Sequence, residues 1–483
     1  MKKLLLIGAA TLIVSNSTFA GDYLTNTNQH AAFLRMVARG AAIDVDGVYS
    51  NPAGLAFLPK DGIYLGLTIQ SAYQTRDINA NSALWTMDGK ETNREYKGKA
   101  SAPVIPSFHA AYKKGDWTIS GGFTVVGGGG KASFDQGLPM FDAAAIGLVT
   151  QTTAKMGYPL TPNKYQILTA MEGRQFIYGL QLGLTYKITE HVSFFAGARM
   201  NYFSGGYNGF LKLALNQNTA TELGTAIIGK YMAAGMTKEQ ATAQAQGIMQ
   251  PMQQQLEQTK IELDCDQTGW GLTPIVGFDA KFGRLNLATK YEFRANMNIE
   301  NDTRTLEYPE AAKAYMAPFE NGVNTPSDIP SMLTAAAQYE ILPTLRAAVE
   351  YHFFDDKRAG MANGKQKKLK RGTHEYLGGL EWDATSQLTL SGGFQKTSYG
   401  LSDEFQGDTS FYCSSYSLGF GARLKFSERL SLDVAYFWTN YKDYEKAGVR
   451  TSTLTAMQLP TTNDKDVYSR SNKVFGVSLN YNF

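Results

Sequence analysis

The sequence predicts an all-β chain, a transmembrane antiparallel up-and-down β-barrel of about fourteen strands. Three observations predict it. Long segments alternate apolar and polar residues, the connections between them alternate short and long, and the last such segment ends on the terminal residue, Phe483.

The chain starts with the pattern of an exported protein. Lys2 and Lys3 precede an apolar stretch from Leu4 to Val14, then Thr18-Phe19-Ala20, the small-residue pattern a signal peptidase reads. Residues 1–20 are therefore expected to be a signal peptide, cleaved after Ala20. That stretch is too short to cross a bilayer, and after it no apolar run approaches the ~18 residues a spanning helix needs. The 46 basic and 43 acidic residues nearly cancel, which gives no basis for nucleic-acid binding. With 48 Gly, 27 Tyr and 26 Phe but only 18% charged residues, the composition suits a barrel with aromatic belts. Export takes Cys265 and Cys413 to an oxidising compartment; whether they pair is left open by sequence alone.

From Asp61 onward the dominant period is two. Trp117, Ile119, Phe123 and Val125 alternate with polar or small residues, as do Phe176, Tyr178, Leu180, Leu182, Leu184 and Tyr186, and Tyr416, Leu418, Phe420, Ala422, Leu424 and Phe426. One face is then apolar and the other polar. These runs extend about ten residues or more, the length a tilted strand needs to cross a bilayer. Tight connections such as Lys113–Asp116, Thr189–His191, Phe282–Arg284 and Ser427–Arg429 alternate with long polar ones: 79–97, 131–173, 207–267, 301–329, 355–372, 401–408 and 443–467. Short turns on one rim and long loops on the other are the outer-membrane pattern. Phe475, Val477, Leu479, Tyr481 and Phe483 form a terminal strand resembling the signal that barrel assembly machinery recognises.

Two segments break the rhythm. Gly21 to Lys60 carries helix-like and turn-like patches, with turn chemistry at Asn51-Pro52 and Ala53-Gly54. Its Arg35, Arg39, Asp44 and Asp46 are suited to pair with charges inside a barrel. Thr221 to Gln258 reads as helical, with a capping box at Thr237 and Gln240. Ile227, Tyr231 and Met232 form one apolar patch and Met249 and Met252 another, a candidate landing surface for an apolar ligand, since methionine suits adaptable surfaces. Alternation points Arg199, Lys281, Lys290, Glu292, Arg294, Arg346, Glu350, His352, Arg423 and Lys425 inward. Arg346 and Arg423 are taken as candidates for a ligand carboxylate, which arginine binds bidentately.

Arg39-Gly40-Ala41-Ala42-Ile43-Asp44, leading into Ser50-Asn51-Pro52-Ala53-Gly54-Leu55-Ala56, resembles the hatch of the FadL/TodX family of outer-membrane transporters for long-chain fatty acids and hydrocarbons. Thr268-Gly269-Trp270-Gly271 and Ala288-Thr289-Lys290-Tyr291 are similar to the middle of that family. The glycines Gly127, Gly128, Gly129 and Gly130, followed by Phe134 and Gly137-Leu138-Pro139, fall where the family's third strand kinks. The resemblance implies a division into residues 1–20 (signal peptide), 21–60 (plug or hatch) and 61–483 (barrel). It implies passive uptake of a hydrophobic molecule through loop capture, an internal pocket above the plug and lateral release into lipid. Consecutive glycines weaken a strand and permit a bulge, so Gly127–Gly130 are the expected lateral gate. Tyr23 matches an aromatic near the mature N-terminus that reaches the family's pocket.

Rival readings make different demands. An enzyme needs a catalytic constellation, and the five histidines His30, His109, His191, His352 and His374 fall into no triad or metal spacing; no G-x-S-x-G occurs. No catalytic residue, metal or cofactor is expected. A general or substrate-specific aqueous porin would need an open polar lumen. A structural or adhesive barrel would need only its external loops. The expected partners are the ligand, outer-membrane lipid and the assembly machinery, with the barrel acting as a monomer. Fatty acid, aromatic hydrocarbon, quinone-like and bile-type ligands all stay open.

Overall fold

The computed structural model describes residues 25–88, 91–155 and 164–483. Its strands are β1 (Gly62–Asn81), β2 (Asn93–Lys114), β3 (Trp117–Phe134), β4 (Tyr165–Lys187), β5 (Val192–Leu215), β6 (Ile261–Phe282), β7 (Leu285–Glu292), β8 (Asn298–Glu307) and β9 (Asn324–Pro326), followed by β10 (Met332–Leu342), β11 (Leu345–Phe354), β12 (Thr373–Asp383), β13 (Leu388–Ser398), β14 (Ser415–Lys425), β15 (Leu430–Tyr441), β16 (Tyr444–Ala447) and β17 (Lys465–Asn482). β7 and β8 both pair with β6 and are two lengths of one wall strand, while β9 and β16 are short additions. The wall is thus a closed antiparallel barrel of 14 strands. β1 closes it against β17, from Tyr64↔Asn482 to Asn81↔Lys465, and the Phe483 amide donates to the Ile63 carbonyl at 2.8 Å.

The wall inverts the polarity of a water-soluble sheet. On β4, Leu180, Leu182 and Leu184 are 51%, 63% and 41% exposed, whereas Gln181 and Thr185 are buried. On β17, Phe475, Val477 and Leu479 are exposed while Ser478 and Asn480 are buried. An apolar outer band this continuous belongs against hydrocarbon. Aromatic pairs mark its short-turn rim, with Trp117 and Tyr186 at 4.4 Å and Tyr481 and Phe483 at 4.6 Å between ring centroids. No helix among the described residues is long and apolar enough to cross a membrane.

Several strands run further than their alternation. β3 continues to Phe134, β4 begins at Tyr165, β5 reaches Leu215 and β6 starts at Ile261, all inside stretches the sequence reads as loops. Beyond the apolar band, the sheet is faced by protein and water. The alternation therefore stops while the hydrogen-bond ladder does not. These projecting ends carry helices α2 (Pro139–Lys155), α3 (Gln217–Ala233) and α4 (Lys238–Glu257); α1 (Ala31–Arg35) is in the N-terminal segment. The capping box of α4 is complete: the Gln240 amide donates to Thr237 Oγ1 at 3.3 Å and the Thr237 amide to Gln240 Oε1 at 3.0 Å. α2 has no counterpart in the sequence reading, because Ala143, Ala145, Ile146 and Val149 are buried on more than one side and leave no clear apolar stripe. Cys265 and Cys413 are separate free thiols, both buried.

Residues 26–58 pack within the ring of strands and bond to it on nearly every side. Asn28 Nδ2 donates to Gln70 of β1 at 2.8 Å, Gln181 of β4 to the Val48 carbonyl at 2.6 Å, and Lys290 of β7 to the Tyr49 carbonyl at 2.7 Å. The Gly40 amide donates to Glu350 of β11 at 2.7 Å and the Ala31 amide to Ser478 of β17 at 3.0 Å. Arg35 bridges Asp433 at 2.8 Å, Ser391 at 2.9 Å and Glu381. Backbone without regular ladders needs such partners when buried.

Candidate ligand cavity and wall opening

The pairing of β2 with β3 is interrupted. It runs from Gly98↔Phe134 to Ser101↔Lys131 and resumes only at Phe108↔Phe123. Each strand also bulges away from its other neighbour. β2 shifts register against β1 between Ile105 and Ala102, where Pro103 and Pro106 contribute no N–H. β3 shifts twice against β4, at Val125/Gly127 and Gly127/Gly130.

The glycines are required here. Gly128 has φ +104° and a Cβ on it would lie 2.2 Å from the Gln175 carbonyl oxygen; Gly130 has φ +76° and its Cβ would lie 2.6 Å from that of Ser101. Carbonyls freed by the break are met by the N-terminal segment. Thr25 bridges Gly127, the Asn26 amide donates to the Val126 carbonyl at 2.7 Å, and Gln29 Nε2 donates to the Val125 carbonyl at 3.0 Å.

Behind the break lies an internal cavity of about 200 Å³. Ala102, Ile105, Val125 and Gly128 line it beside the break; Phe33, Ala72, Phe437 and Val474 give an apolar floor; Gln74, Gln395, Thr439 and Asn472 add polar groups. A recess of about 60 Å³ lined by Arg76, Gly130, Met171 and Tyr207 adjoins it on the loop side. A larger depression among Leu345, Leu380, Trp382 and Leu390, about 450 Å³, lies on the apolar outer face and belongs to the lipid-facing surface.

The structure distributes the residues singled out from sequence as follows. Gly127, Gly128, Gly129 and Gly130 stand at the break. Asn51, Pro52, Ala53 and Gly54 dock on β4, β5 and β6, which follow β3 around the wall: Asn51 caps the Gly54 amide at 3.1 Å and donates to Asp279 at 2.6 Å, Thr185 donates to the Pro52 carbonyl at 2.8 Å, and Ser193 to that of Ala53 at 2.7 Å. Ile227 and Met252 are buried and Tyr231 and Met249 half-buried; Met232 is exposed. Met252 belongs to the core that seats α4 on Val149, Leu211 and Leu213. Arg346 is held by Glu381 and Asp383, and Arg423 by Asp433 and Asp44. Arg199, Lys290 and Glu292 form a buried ion cluster against the Tyr49 ring. Arg294 does not face the lumen, because β7 ends at Glu292; it is exposed and donates to the Arg358 carbonyl at 2.5 Å. Tyr23 lies outside the described residues.

Sequence reasoning missed Pro103 and Pro106, although two prolines inside a strand are a readable sign of broken pairing. It also missed Arg76 and Arg470, which meet only once β1 and β17 are in register.

The 14-strand barrel has counterparts among solved structures. A Pseudomonas aeruginosa FadL homologue superposes with TM-score 0.61 at 12% identity, covering 96% of this chain and 100% of that one. The fold is that of the FadL and TodX barrels. The Pseudomonas putida toluene transporter TodX shares this FadL-type fold with TM-score 0.54, 14% identity and coverage of 96% and 100%. The Ralstonia pickettii toluene transporter TbuX gives 0.50, 12%, and 91% and 94%. No family model matches the sequence, and no curated protein is similar to it.

Proposed function

We propose that the protein is an outer-membrane channel for passive uptake of hydrophobic small molecules. The external loops capture the molecule, the cavity above residues 21–60 holds it, and the break between β2 and β3 releases it sideways into the membrane. Residues 1–20 direct export, residues 21–60 act as the plug, and the strand ending at Phe483 is the one the assembly machinery engages. The barrel acts as a monomer, since a closed sheet presents no edge to a neighbour.

One observation carries this reading: the interrupted β2–β3 ladder borders the internal cavity, which Ala102, Ile105, Val125 and Gly128 line. Release into lipid has a physical rationale, because moving an apolar tail into water costs about 0.8 kcal/mol per CH₂. The toluene transporters among the structural neighbours are in keeping with an apolar cargo.

The test replaces Gly127–Gly130 with valines in cells that depend on the protein to take up a labelled hydrocarbon. Uptake is expected to fall while the barrel still reaches the outer membrane; unchanged uptake in a folded variant would sink the lateral route. A second reading, an aqueous pore, is favoured by the polar groups Gln74, Gln395, Thr439 and Asn472 on the cavity wall. Single-channel recordings separate the two, since a plugged barrel conducts few ions and an open porin many.

A further inference from the structure

We propose that the outer wall over β12–β17 carries a site for a phosphorylated glycolipid of the outer leaflet, with its phosphates on Arg371, Lys396 and Lys473 and an acyl chain in the depression beside Gly392. The inference needs the barrel to sit in the outer membrane and is independent of what passes through it.

On β11 to β15, and on β17 from Ser471 to Tyr481, the outward residues include two cations, Lys396 and Lys473, and no Asp or Glu. Both lysines are exposed. Among the described residues neither has a carboxylate partner. Each stands between two outward aromatic residues: Lys396 between Tyr376 and Tyr416, Lys473 between Trp438 and Tyr73. Arg371 adds a third exposed cation. It reaches over Ser398, one outward step from Lys396 toward the loops, and donates to its Oγ at 2.7 Å and its carbonyl at 3.1 Å.

The exposed cations of the β3–β8 wall differ. Lys131 pairs with Glu172 at 2.7 Å, Arg174 with Asp266 at 2.5 Å, and Arg304 also with Asp266. Height makes the unpaired set informative. Lys396 is eight residues from Leu388, the turn-side end of β13, and Lys473 nine from Asn482, that of β17. At about 3.3 Å per residue and a tilt of about 40°, both lie roughly 20 Å above the turn rim. The apolar band of such a barrel is about 25 Å tall, and lysine stems carry their charge outward to its edge. The ammonium groups therefore reach the loop-side boundary, level with head-group phosphates, where clustered cations attract anionic lipid. Two strands, β14 and β15, separate the lysines, about 14 Å in the pairing direction. A disaccharide phosphorylated at both ends offers two anions at such a spacing, whereas a phospholipid offers one phosphate.

The wall beneath suits the rest of such a molecule. Gly392 faces outward between Leu380 and Phe420, and a Cβ there would meet only the Gly419 carbonyl oxygen, at 3.7 Å. With Leu345, Leu380, Trp382 and Leu390 it lines the outer depression of about 450 Å³. Gly392 is four residues from Lys396 toward the turn rim, about 13 Å along the strand. An acyl chain whose head group sits on the lysine reaches it. Lipid tails are as apolar as leucine, so the depression adds packing contacts, and the charge-assisted bonds to phosphate supply the selectivity.

The test measures binding of bis-phosphorylated lipid A, of dephosphorylated lipid A and of phosphatidylglycerol to the purified full-length mature barrel in non-ionic detergent. The wild type is expected to hold lipid A at least roughly tenfold more tightly than either of the others, the value of a few charge-assisted bonds. That preference should shrink as salt is raised. K396Q/K473Q should lower lipid A binding to the dephosphorylated level, and G392W, which fills the depression, should weaken both glycolipids. K131Q/R174Q, on the other wall, should bind lipid A as wild type does. Heat-modifiable migration checks that each variant is folded. Equal binding of the two glycolipids by wild type, or undiminished lipid A binding by folded K396Q/K473Q, overturns the site. An equal loss in K131Q/R174Q overturns its placement, and phosphatidylglycerol held as tightly as lipid A overturns the choice of glycolipid. The channel reading is tested by uptake and stands or falls separately.

Discussion

Arg39 and Asp46, seven residues apart in the N-terminal segment, face each other as a two-pronged pair: Nε donates to Oδ2 at 2.7 Å and Nη2 to Oδ1 at 2.8 Å, with both side chains enclosed. Burial alone would raise the Asp46 carboxyl; the charge and paired bonds of Arg39 outweigh it and hold the group at about 2, below its ordinary 3.8. Its contribution to stability is therefore complete above the ordinary value and drains away as pH falls from 3.8 through about 2. Asp46→Asn leaves a buried guanidinium short of its main partner and is expected to cost about 3 kcal/mol. Guanidinium unfolding in detergent at neutral pH measures this, and the gap between wild type and variant should narrow on acidification below pH 3.8. A gap that stayed constant down to pH 2 would refute the assignment.

Asn26→Pro removes the amide that meets the Val126 carbonyl at the break. An unsatisfied buried carbonyl costs about 1–3 kcal/mol. Hydrogen exchange should quicken in the Val125–Gly130 stretch while that of β10–β15 keeps its wild-type rate.

Asn51→Ala removes both the cap on Gly54 and the donor to Asp279. A lost cap of this kind costs about 1–2 kcal/mol. The unfolding midpoint should drop accordingly; no change would mean that the turn holds itself without its cap.

Deleting Phe483 removes the amide bond to Ile63 and the edge contact with Tyr481 at the seam. The heat-modifiable, folded band should weaken relative to total protein in outer-membrane fractions, with Phe483→Tyr retaining it.

Thiol titration checks the cysteines. Both are free and buried, in separate clusters. Two thiols should react after unfolding without reductant, and gel mobility should be the same with and without it.

The wall was legible because Leu180, Leu182 and Leu184, or Phe475, Val477 and Leu479, print their outward face directly as a period of two. Where that constraint ended, legibility ended with it: the upper halves of β4, β5 and β6 pair with neighbours but have no lipid to sort their side chains. Of the candidate site, the glycines of β3 were readable because φ of +104° at Gly128 admits little else. Of the inward arginines, Arg199, Arg346 and Arg423 were readable from alternation, while Arg76 and Arg470 were not. Arg346 and Arg423 look the same in sequence as Arg76 and Arg470. What separates them is the register of distant strands, which supplies carboxylates to the first two and, among the described residues, none to the second.

The segment at the start of the chain takes several of its partners from the very end of it. His30 bonds to Asn480 at 3.0 Å, the Ala31 amide to Ser478, and Arg35 to Asp433. Synthesis delivers these partners long after the segment itself, so the segment cannot be seated in the order in which the polypeptide emerges. Assembly must hold the leading segment unlatched until the closing strand arrives, and a chain stalled before β15 would lack both the seam with β1 and the residues that seat His30, Ala31 and Arg35.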